Sequence, residues 1–374
     1  MKVLFLINSL SGGGAERVVK TLSEHLVRVG CKVTILTLQE SKNETYSLDK
    51  NIVHKTLYTK SMNKGLFKLI ALPLQALEYK RFYDKEKPDL AISFLVRSNF
   101  VNVISSWFGN NYPSIISERT TANKQYNAKT IKGKIMRSLI SFLYPKSSKI
   151  VAISRGVKES LISLNVPSNK VEVIHNPQDI DYIKSQSYKK GPIKFRQNER
   201  IIVTMGRLIE LKDQKTLIKA FANLNRKDTK LVIIGEGPKK LELQQLAKSL
   251  NILNQVHFLG WVDNPFPILR RSDVFVLTSK FEGFGNVLVE AMICETPVIS
   301  SDCNSGPKEI LGESEYGVLF PVGDYKQLTI KIVELLDDEE KRLRYKHKGY
   351  KRALDFDVNV IAEKYLHYSQ CKNE

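Results

Sequence analysis

The chain has 374 residues, of which 42% are hydrophobic and 26% charged, a composition that argues against a disordered chain or a coiled-coil rod. At about 150 residues per domain, this length predicts two domains. The four cysteines lie far apart, which argues against a disulfide framework and a zinc site and favours a reducing cytosol. No apolar run approaches the roughly 20 residues that cross a bilayer, and the first residues resemble a strand more than a secretory signal.

The formal net charge of +19 is unevenly distributed along the chain. Residues 1–178 hold 27 Lys and Arg against 12 Asp and Glu, whereas residues 179–374 hold 31 against 27. The first half therefore carries most of the excess. A basic half of this kind predicts an anionic partner, which leaves nucleic acid, an acidic membrane surface and a phosphorylated substrate as candidates.

Strand and helix signals alternate from the start of the chain. Val3–Ile7 is an apolar run that predicts a strand, and apolar residues at helical spacing predict a helix over residues 14–29. Further strands are predicted at Lys32–Leu38, Leu90–Phe94, Ser114–Ser117 and Lys149–Ile153, with helices between them. This alternation indicates a parallel sheet covered by helices on both faces.

The alternation begins again after a polar segment, residues 176–197, whose composition is that of a linker. The later signals are strands at Arg200–Met205, Lys230–Ile234, Gln255–Leu259, Val274–Leu277 and Pro297–Ser300, with helices such as Leu211–Asn225 and a last one near Val358–Cys371. We therefore expect two doubly wound domains, 1–178 and 199–353, a linker at 179–198, and a C-terminal helix in 354–374 that packs back on the first domain. An ordinary long loop within one domain is the alternative to the linker.

The first glycine-rich turn, residues 11–14, lies between the first strand and the first helix. Glycines there would let the backbone approach a ligand, and the helix N-terminus would present amide groups to an anion. Arg17 occupies the position of the third glycine of the dinucleotide-binding motif, so the turn does not match that motif. The simpler alternative is a tight connection between strand and helix.

Two cations follow the first strand of the second domain. Arg207 and Lys212 are five residues apart after Gly206, and ligands of doubly wound sheets bind at the carboxyl ends of strands. The guanidinium and the ammonium would together clamp a diphosphate. The alternative is a pair of solvated loop charges.

The third feature, residues 281–291, follows the strand Val274–Leu277. Gly283 and Gly285 leave the backbone bare before a helix that begins near Asn286, whose N-terminus would hold a phosphate. Glu282 lies in the turn, and Glu290 lies among apolar residues within the helix. A buried carboxylate at that position would accept hydrogen bonds from ligand hydroxyls; the alternative is a carboxylate on the helix surface.

Together with Gly235-Glu236-Gly237-Pro238 and Phe258-Leu259-Gly260, these motifs occur in an order that resembles the retaining nucleotide-sugar glycosyltransferases of family 4. The resemblance implies the α/β GT-B fold, in which two Rossmann-like doubly wound domains face each other across a cleft. Within the family, the chain is most similar to bacterial N-acetylgalactosamine transferases that extend undecaprenyl-diphosphate-linked oligosaccharides. That similarity rests on the stretches Gly13–Arg17, Ile92–Leu95 and Ile115–Glu118.

The resemblance implies a role for each matching residue. Arg207 and Lys212 would neutralise the donor diphosphate, and Glu282 would contact the hydroxyls of the donor hexose. The nucleotide-sugar would also be held by Gly13, Gly14, Gly206, Trp261, Val262, Gly285, Asn286, Val287 and Glu290, with Glu290 on the ribose and Trp261 and Val262 near the base. Because these cations and amides supply positive charge, neither a cofactor nor a metal is expected. The Asp-x-Asp sequences at Asp179 and Asp355 are not expected to bind one.

One loop departs from the family pattern. Arg119 stands where family members often have a histidine, so we expect this guanidinium to act in catalysis on a donor or acceptor phosphate. A surface pair with Glu118 is the alternative. The family's retaining reaction would bring the acceptor hydroxyl to the face that the diphosphate leaves.

Two basic stretches, Lys60–Lys87 and Lys124–Lys149, interleave cations with apolar residues. Such helices lie on anionic bilayers, or else they pack on the sheet with a solvated basic face. The expected function is transfer of a hexosamine or hexose, N-acetylgalactosamine first, from a UDP-sugar to a lipid-linked or surface-glycan acceptor of bacterial glycan synthesis, on the inner face of the cell membrane. The alternatives are a UDP-sugar 2-epimerase and a nucleic-acid-binding protein; the sequence has no recognisable nucleic-acid module.

Overall fold

The computed structural model describes residues 1–11, 13–40, 47–57, 71–109, 113–196, 198–303 and 305–370. Gly12 of the glycine-rich turn, residues 60–70 of the first basic stretch and Cys371 lie outside these ranges. The chain divides into two compact units, one made of Met1–Pro177 with Val358–Glu374 and the other of Gln178–Asp357.

The first unit is a doubly wound α/β structure. Its described strands are β1 (Lys2–Ile7), β2 (Lys32–Thr37), β3 (Val53–Thr56), β4 (Leu90–Phe94), β5 (Ile115–Glu118), β6 (Lys149–Ala152) and β7 (Val171–Val173). Its described helices are α1 (Gly14–Arg28), α2 (Leu72–Glu86), α3 (Val96–Ser105), α4 (Ala122–Gln125), α5 (Ile131–Leu143) and α6 (Arg155–Ile162), with α15 (Val358–Gln370) returning from the end of the chain. The strands pair in parallel in the order β3-β2-β1-β4-β5-β6-β7.

The core of the first unit explains these elements. Val3–Ile7 are buried throughout β1 because helices cover both faces of a parallel sheet. On α1 the buried residues recur at helical spacing, from Val18 and Val19 to Leu22 and Leu26. Helix α15 contributes buried residues to the same core, among them Ile361 and Tyr365.

The second unit repeats the architecture. Its described strands are β8 (Arg200–Met205), β9 (Thr229–Ile234), β10 (Val256–Gly260), β11 (Val274–Leu277), β12 (Val298–Ser301) and β13 (Val318–Phe320), which pair in parallel in the order β10-β9-β8-β11-β12-β13. Its described helices are α7 (Ile180–Ser187), α8 (Gln214–Leu224), α9 (Lys240–Ser249), α10 (Phe266–Arg271), α11 (Asn286–Ile293), α12 (Pro307–Leu311), α13 (Tyr325–Asp337) and α14 (Glu339–Ala353). The expected α/β fold class is thus observed in both halves.

The expected linker differs from what the structure shows. Most of its first half forms helix α7, which belongs to the second unit and packs against α10 and α11. Ile180 and Ile183 are buried there although the surrounding residues are polar. The chain changes units between Pro177 and Gln178, one residue before the expected end of the first domain, and again between Asp357 and Val358. Among the helices that the structure describes, none is long and apolar enough to cross a membrane.

Candidate active site

The loops at the carboxyl edge of the second sheet are joined by their backbones. The Gly206 N–H donates to the Ile234 carbonyl oxygen at 2.9 Å, and the Leu208 N–H donates to that of Glu236 at 2.9 Å. One loop further along, the Gly235 N–H donates to the Gly260 carbonyl oxygen at 2.7 Å. The motifs after β8, β9 and β10 are therefore three layers of one loop cluster at the edge where doubly wound sheets bind ligands.

Glycine is required where these layers touch. Gly235 has a φ of +132°, and a Cβ there would lie 2.1 Å from the Gly206 carbonyl oxygen. A Cβ on Gly237 would lie 2.4 Å from the Leu208 carbonyl oxygen. The sequence signals this cluster through its glycines, but only the structure shows that their role is close packing between backbones.

The loop after β8 is also tied to the loop after β11. The Thr278 hydroxyl donates to the Lys212 carbonyl oxygen at 2.9 Å, and the Lys280 N–H donates to that of Leu211 at 2.9 Å. These bonds hold the two loops together. As a result Lys212 and Glu282, which lie 70 positions apart in the chain, form an ion pair in which the Lys212 ammonium donates to the Glu282 carboxylate. The Glu282 carboxylate also accepts from the Ser279 hydroxyl at 2.7 Å.

The pair is largely shielded from water. The Lys212 side chain is 22% exposed and that of Glu282 is 12% exposed. Arg207 lies in the same loop, with its side chain exposed and its carbonyl oxygen accepting from the Gln214 amide at 3.0 Å. The structure thus places three of the predicted catalytic residues on two hydrogen-bonded loops, with a cation and an anion in direct contact.

The turn that carries Glu282 is also bonded to the end of β12 and to the segment that follows it. The Ser305 hydroxyl donates to the Glu282 carbonyl oxygen, and the Ser301 hydroxyl donates to that of Ser279 at 2.5 Å. A Cβ on Gly306 would lie 2.1 Å from the Phe284 carbonyl oxygen. These contacts fix the turn where a strand ends and helix α11 begins.

Helix α11 begins at Asn286 after Gly285, which has a φ of +107° and no side chain to cap the helix. Asn286 and Val287 are partly exposed, so the first turn of the helix faces the edge of the sheet. The first N–H groups of any α-helix point beyond its N-terminus and carry partial positive charge. This end of α11 is therefore suited to a phosphate, as expected from the sequence.

Glu290 lies one turn further along α11 and is wholly buried. Leu288, Val289, Ala291 and Met292 around it are buried as well. The alternative of a surface carboxylate is therefore wrong. A carboxylate enclosed in this way is costly unless it serves a specific partner.

Trp261 lies at the other end of the loop cluster, after β10. The residue is 61% exposed, and its Nε1 donates to an Asp263 carboxylate oxygen at 2.8 Å. Trp261 and Val262 line an open cavity of about 450 Å³ together with Pro192 and Ile193. This cavity is where the sequence predicts the base.

Arg119 is placed differently from expectation. The residue is 6% exposed, and its guanidinium donates to the Ser117 hydroxyl at 3.2 Å and to the Asn176 side-chain oxygen. It lies 5.5 Å from the centre of the Phe94 ring, and burial lowers its pKa. The guanidinium also interacts with the Tyr365 hydroxyl of α15. These inward contacts favour a structural role for Arg119 over the expected contact with a phosphate.

Glu118 is equally enclosed, which makes the surface-pair alternative wrong. It accepts from the Tyr144 hydroxyl at 2.6 Å and from the Arg119 and Thr120 N–H groups at 3.0 and 3.1 Å. Burial raises its pKa. The two residues belong to a polar network in the core of the first unit, and the sequence signal of two adjacent charges gave no indication of that burial.

The remaining predicted ligand residues lie in the first unit, and the two Asp-x-Asp sequences have structural partners. Gly13 and Gly14 are exposed at the N-terminus of α1. The Asp179 carboxylate caps α7 by accepting from the Tyr182 N–H at 3.0 Å, and Asp355 pairs with Arg352 at 2.7 Å. In the described part of the chain, no cluster of three or more His, Cys, Asp or Glu side chains is arranged to hold a metal ion.

Two family models match the chain, one to each half. The model described as Glycosyltransferase Family 4 matches residues 12–182, and the model described as Glycosyl transferases group 1 matches residues 186–352. The Anabaena HepE structure solved in complex with UDP shares the fold, with a TM-score of 0.82 and 22% sequence identity over 99% of this chain and 100% of that chain.

Two proteins of Campylobacter jejuni are similar over nearly their whole length. One is N-acetylgalactosamine-N,N'-diacetylbacillosaminyl-diphospho-undecaprenol 4-alpha-N-acetylgalactosaminyltransferase, 33% identical over 98% of this chain and 99% of its own. The other is GalNAc-alpha-(1->4)-GalNAc-alpha-(1->3)-diNAcBac-PP-undecaprenol alpha-1,4-N-acetyl-D-galactosaminyltransferase, 29% identical over 98% and 97%. These matches confirm a glycosyltransferase in place of an epimerase or a nucleic-acid-binding protein. With its two Rossmann-like units, the chain belongs to the family 4 glycosyltransferases of the GT-B fold.

Proposed function

We propose that the enzyme transfers N-acetylgalactosamine, or a related hexosamine or hexose, from a UDP-linked donor to an undecaprenyl-diphosphate-linked or other glycan acceptor, with retention of configuration. The sugar and the lipid carrier are those named for the two Campylobacter relatives. UDP is the nucleotide held by HepE, which has the same fold. The product would belong to a bacterial surface glycan or glycoprotein oligosaccharide.

The observation that carries the proposal is the Lys212–Glu282 pair beside the N-terminus of α11. Cleavage of a sugar–phosphate bond leaves negative charge on the diphosphate and positive charge on the sugar. Groups fixed in advance where charge develops stabilise that transition state most effectively. Lys212 and Arg207 would stabilise the departing diphosphate, and Glu282 would orient the donor hexose through its hydroxyls.

The rest of the donor would extend along the same loop cluster. The amides of Asn286 and Val287 would bind a phosphate, since Gly285 brings no side chain to cap the helix N-terminus. Glu290 would accept hydrogen bonds from the ribose, and the base would lie in the cavity beside Trp261 and Val262. Gly206, whose N–H binds the next loop, would let the backbone approach the donor closely.

The acceptor hydroxyl would attack from the face that the diphosphate leaves, which accounts for retention. The departing diphosphate is itself a base that could take the proton from that hydroxyl. The charges of Arg207, Lys212 and the α11 amides would make a divalent cation unnecessary, and turnover should persist in excess chelator.

The lipid carrier would hold the acceptor at a membrane, so we also propose that the enzyme works as a peripheral protein on the inner face of the cell membrane. The excess of cations in residues 1–178 supports an anionic surface as a partner.

A donor screen tests the proposal. Release of UDP would be measured for a panel of UDP-sugars, with and without an undecaprenyl-diphosphate-linked glycan, and the anomeric configuration of the product would be read from its proton coupling constant. We expect acceptor-dependent UDP release with UDP-N-acetylgalactosamine and an α-linked product. Release that is independent of every lipid-linked acceptor, or a β-linked product, would refute the proposed reaction.

A further inference from the structure

A row of apolar side chains on helix α5 faces away from the protein. Ile131, Ile135 and Phe142 are 81%, 40% and 57% exposed. With Ser138, which is also exposed, they follow one another at intervals of four, three and four residues, which places them on one face of the helix. The opposite face is the one that packs inward, through Ile140 and Leu143.

The row continues on to the turn that follows α3. Trp107 and Phe108, in the 3-10 turn Ser106–Phe108, are 48% and 43% exposed. The Trp107 ring lies 6.3 Å from the Phe142 ring at an interplanar angle of 81°. Two separate segments of the chain therefore present large apolar groups side by side. A contiguous patch of this kind marks an interaction site, whereas single exposed apolar residues do not.

A lysine completes the arrangement. The Lys146 ammonium lies 4.0 Å from the centre of the Phe142 ring and 5.0 Å from that of Trp107. Aromatic rings with an amine close by match the boundary between lipid headgroups and acyl chains, where the rings are buried and a lysine on a flexible stem keeps its charge hydrated. We call Trp107, Phe108, Ile131, Ile135, Phe142 and Lys146 the aromatic–basic face.

The charge around the aromatic–basic face favours an anionic partner. Residues 124–149 contain seven Lys and Arg and neither Asp nor Glu. Lys132 and Lys134, in the first turns of α5, are exposed beside the apolar row. A second copy of the chain would bring the same positive charge to the contact and be repelled, whereas anionic phospholipids attract each such cation by about fivefold in affinity.

We propose that the aromatic–basic face is the surface by which the enzyme inserts shallowly into an anionic bilayer. This inference rests on the proposed function, because a lipid-linked acceptor has to be met at a membrane. Helix α5 follows β5, so its Ile131 end begins nearer the carboxyl edge of the first sheet, the edge at which doubly wound units bind ligands. Docking on this face would therefore hold that edge close to the lipid headgroups.

Vesicle flotation of the full chain tests this surface without any substrate. The vesicles would be phosphatidylethanolamine with about a quarter phosphatidylglycerol, compared with phosphatidylcholine alone. The variant Ile135→Ser/Phe142→Ser should bind the anionic vesicles at least tenfold more weakly, since it removes two large apolar groups from the contact. Lys132→Gln/Lys134→Gln should reduce binding to these vesicles by about 25-fold, at about fivefold for each cation, and affect phosphatidylcholine binding little.

A matched control is available on the second unit. Leu241→Ser/Leu343→Ser removes two leucines that are 73% and 54% exposed, and it should bind vesicles as the unmodified protein does. Equal losses in the control, or unchanged binding in Ile135→Ser/Phe142→Ser with its melting temperature preserved, would overturn the inference. The inference would also be overturned if the unmodified protein did not bind vesicles but formed a dimer in sedimentation velocity, and if Ile135→Ser/Phe142→Ser abolished that dimer.

The two proposals fail separately. If vesicle binding depends on the aromatic–basic face but no lipid-linked glycan accepts sugar, the proposed reaction is wrong and the surface is right. If transfer to such a glycan in detergent is unaffected by Ile135→Ser/Phe142→Ser and vesicle binding is unaffected as well, the reaction is right and the surface is wrong.

Discussion

Replacing Lys212 by Met separates the two tasks that the Lys212–Glu282 pair is expected to perform. The ammonium is paired with a carboxylate that is 12% exposed and whose other hydrogen bond comes from Ser279. Lys212→Met would leave that carboxylate without its cation. Removing one partner of a fully buried pair costs about 3–5 kcal/mol, so at this partial exposure we expect a loss of about 2 kcal/mol in the free energy of unfolding.

Turnover should fall much further than stability. A domain with a stability of about 5–15 kcal/mol stays folded after such a loss, so the rate would report the missing charge. Removing one preorganised group that faces developing charge costs about 10²–10³ in kcat. We expect Lys212→Met to lose about a hundredfold in UDP release, and Glu282→Gln, which keeps an acceptor oxygen, to lose about tenfold.

The double variant Lys212→Met/Glu282→Gln decides between the roles. It removes the stranded carboxylate, so the free energy of unfolding measured in urea should return to within about 1 kcal/mol of that of the unmodified enzyme. UDP release should remain about a hundredfold lower, because the cation is still missing. If turnover recovers together with stability, the pair is a structural ion pair only and the assignment of Lys212 to the diphosphate is wrong.

Three further substitutions test other parts of the site. Glu290→Gln should cut UDP release about tenfold or more without lowering the melting temperature, because it replaces one buried carboxylate oxygen by an amide nitrogen and keeps the shape; near-normal release would contradict the ribose assignment. Gly235→Ala should lower the free energy of unfolding by more than about 2 kcal/mol, since its Cβ would meet the Gly206 carbonyl oxygen. The control Gly323→Ala is also at positive φ but has no described atom beyond its chain neighbours within 4 Å, so it should cost about 1 kcal/mol. Equal melting temperatures of the two variants would argue against the close packing at Gly235. Arg119→Met should cost about 3 kcal/mol or more in urea unfolding while turnover per folded molecule stays within a few fold, and a fully stable but inactive variant would restore a catalytic role for this residue.

The central strands of both sheets and the edge strand β10 could be predicted from the sequence, whereas the other three edge strands could not. β1, β4, β8 and β9 are apolar runs because both of their faces are buried. β3 and β7 are the edges of the first sheet and β13 is an edge of the second. They are three or four residues long, and β3 and β7 also contain polar, exposed residues, so none of the three shows an apolar run of four residues.

The linker prediction failed for a related reason. Polar residues dominate the segment after Pro177, and composition alone predicts a flexible connection there. Helix α7 needs only Ile180 and Ile183 to pack on the second unit, so its exposed face can be almost entirely polar. A two-residue apolar contact in an eight-residue helix gives too little periodicity to be recognised.

The sequence was enough to name the residues of the candidate site, but not the contacts between them. Gly206, Gly235 and Gly260 could be recognised as motifs, yet their stacking depends on backbone bonds between loops that are distant in sequence. The same holds for Lys212 and Glu282. Arg119 shows the reverse case, because its burial is created by Asn176 and by α15, and neither is visible from the residues around it.

The placement of α15 has a consequence for how the enzyme is made. Its Ile361 and Tyr365 fill the core of the first unit, and its Tyr368 hydroxyl donates to the Glu172 carboxylate at 2.6 Å. A ribosome synthesises all of Gln178–Asp357 before it reaches this helix. During that interval the apolar surface of the first unit that α15 later covers stays exposed. The second unit is contiguous in sequence and can therefore finish folding first.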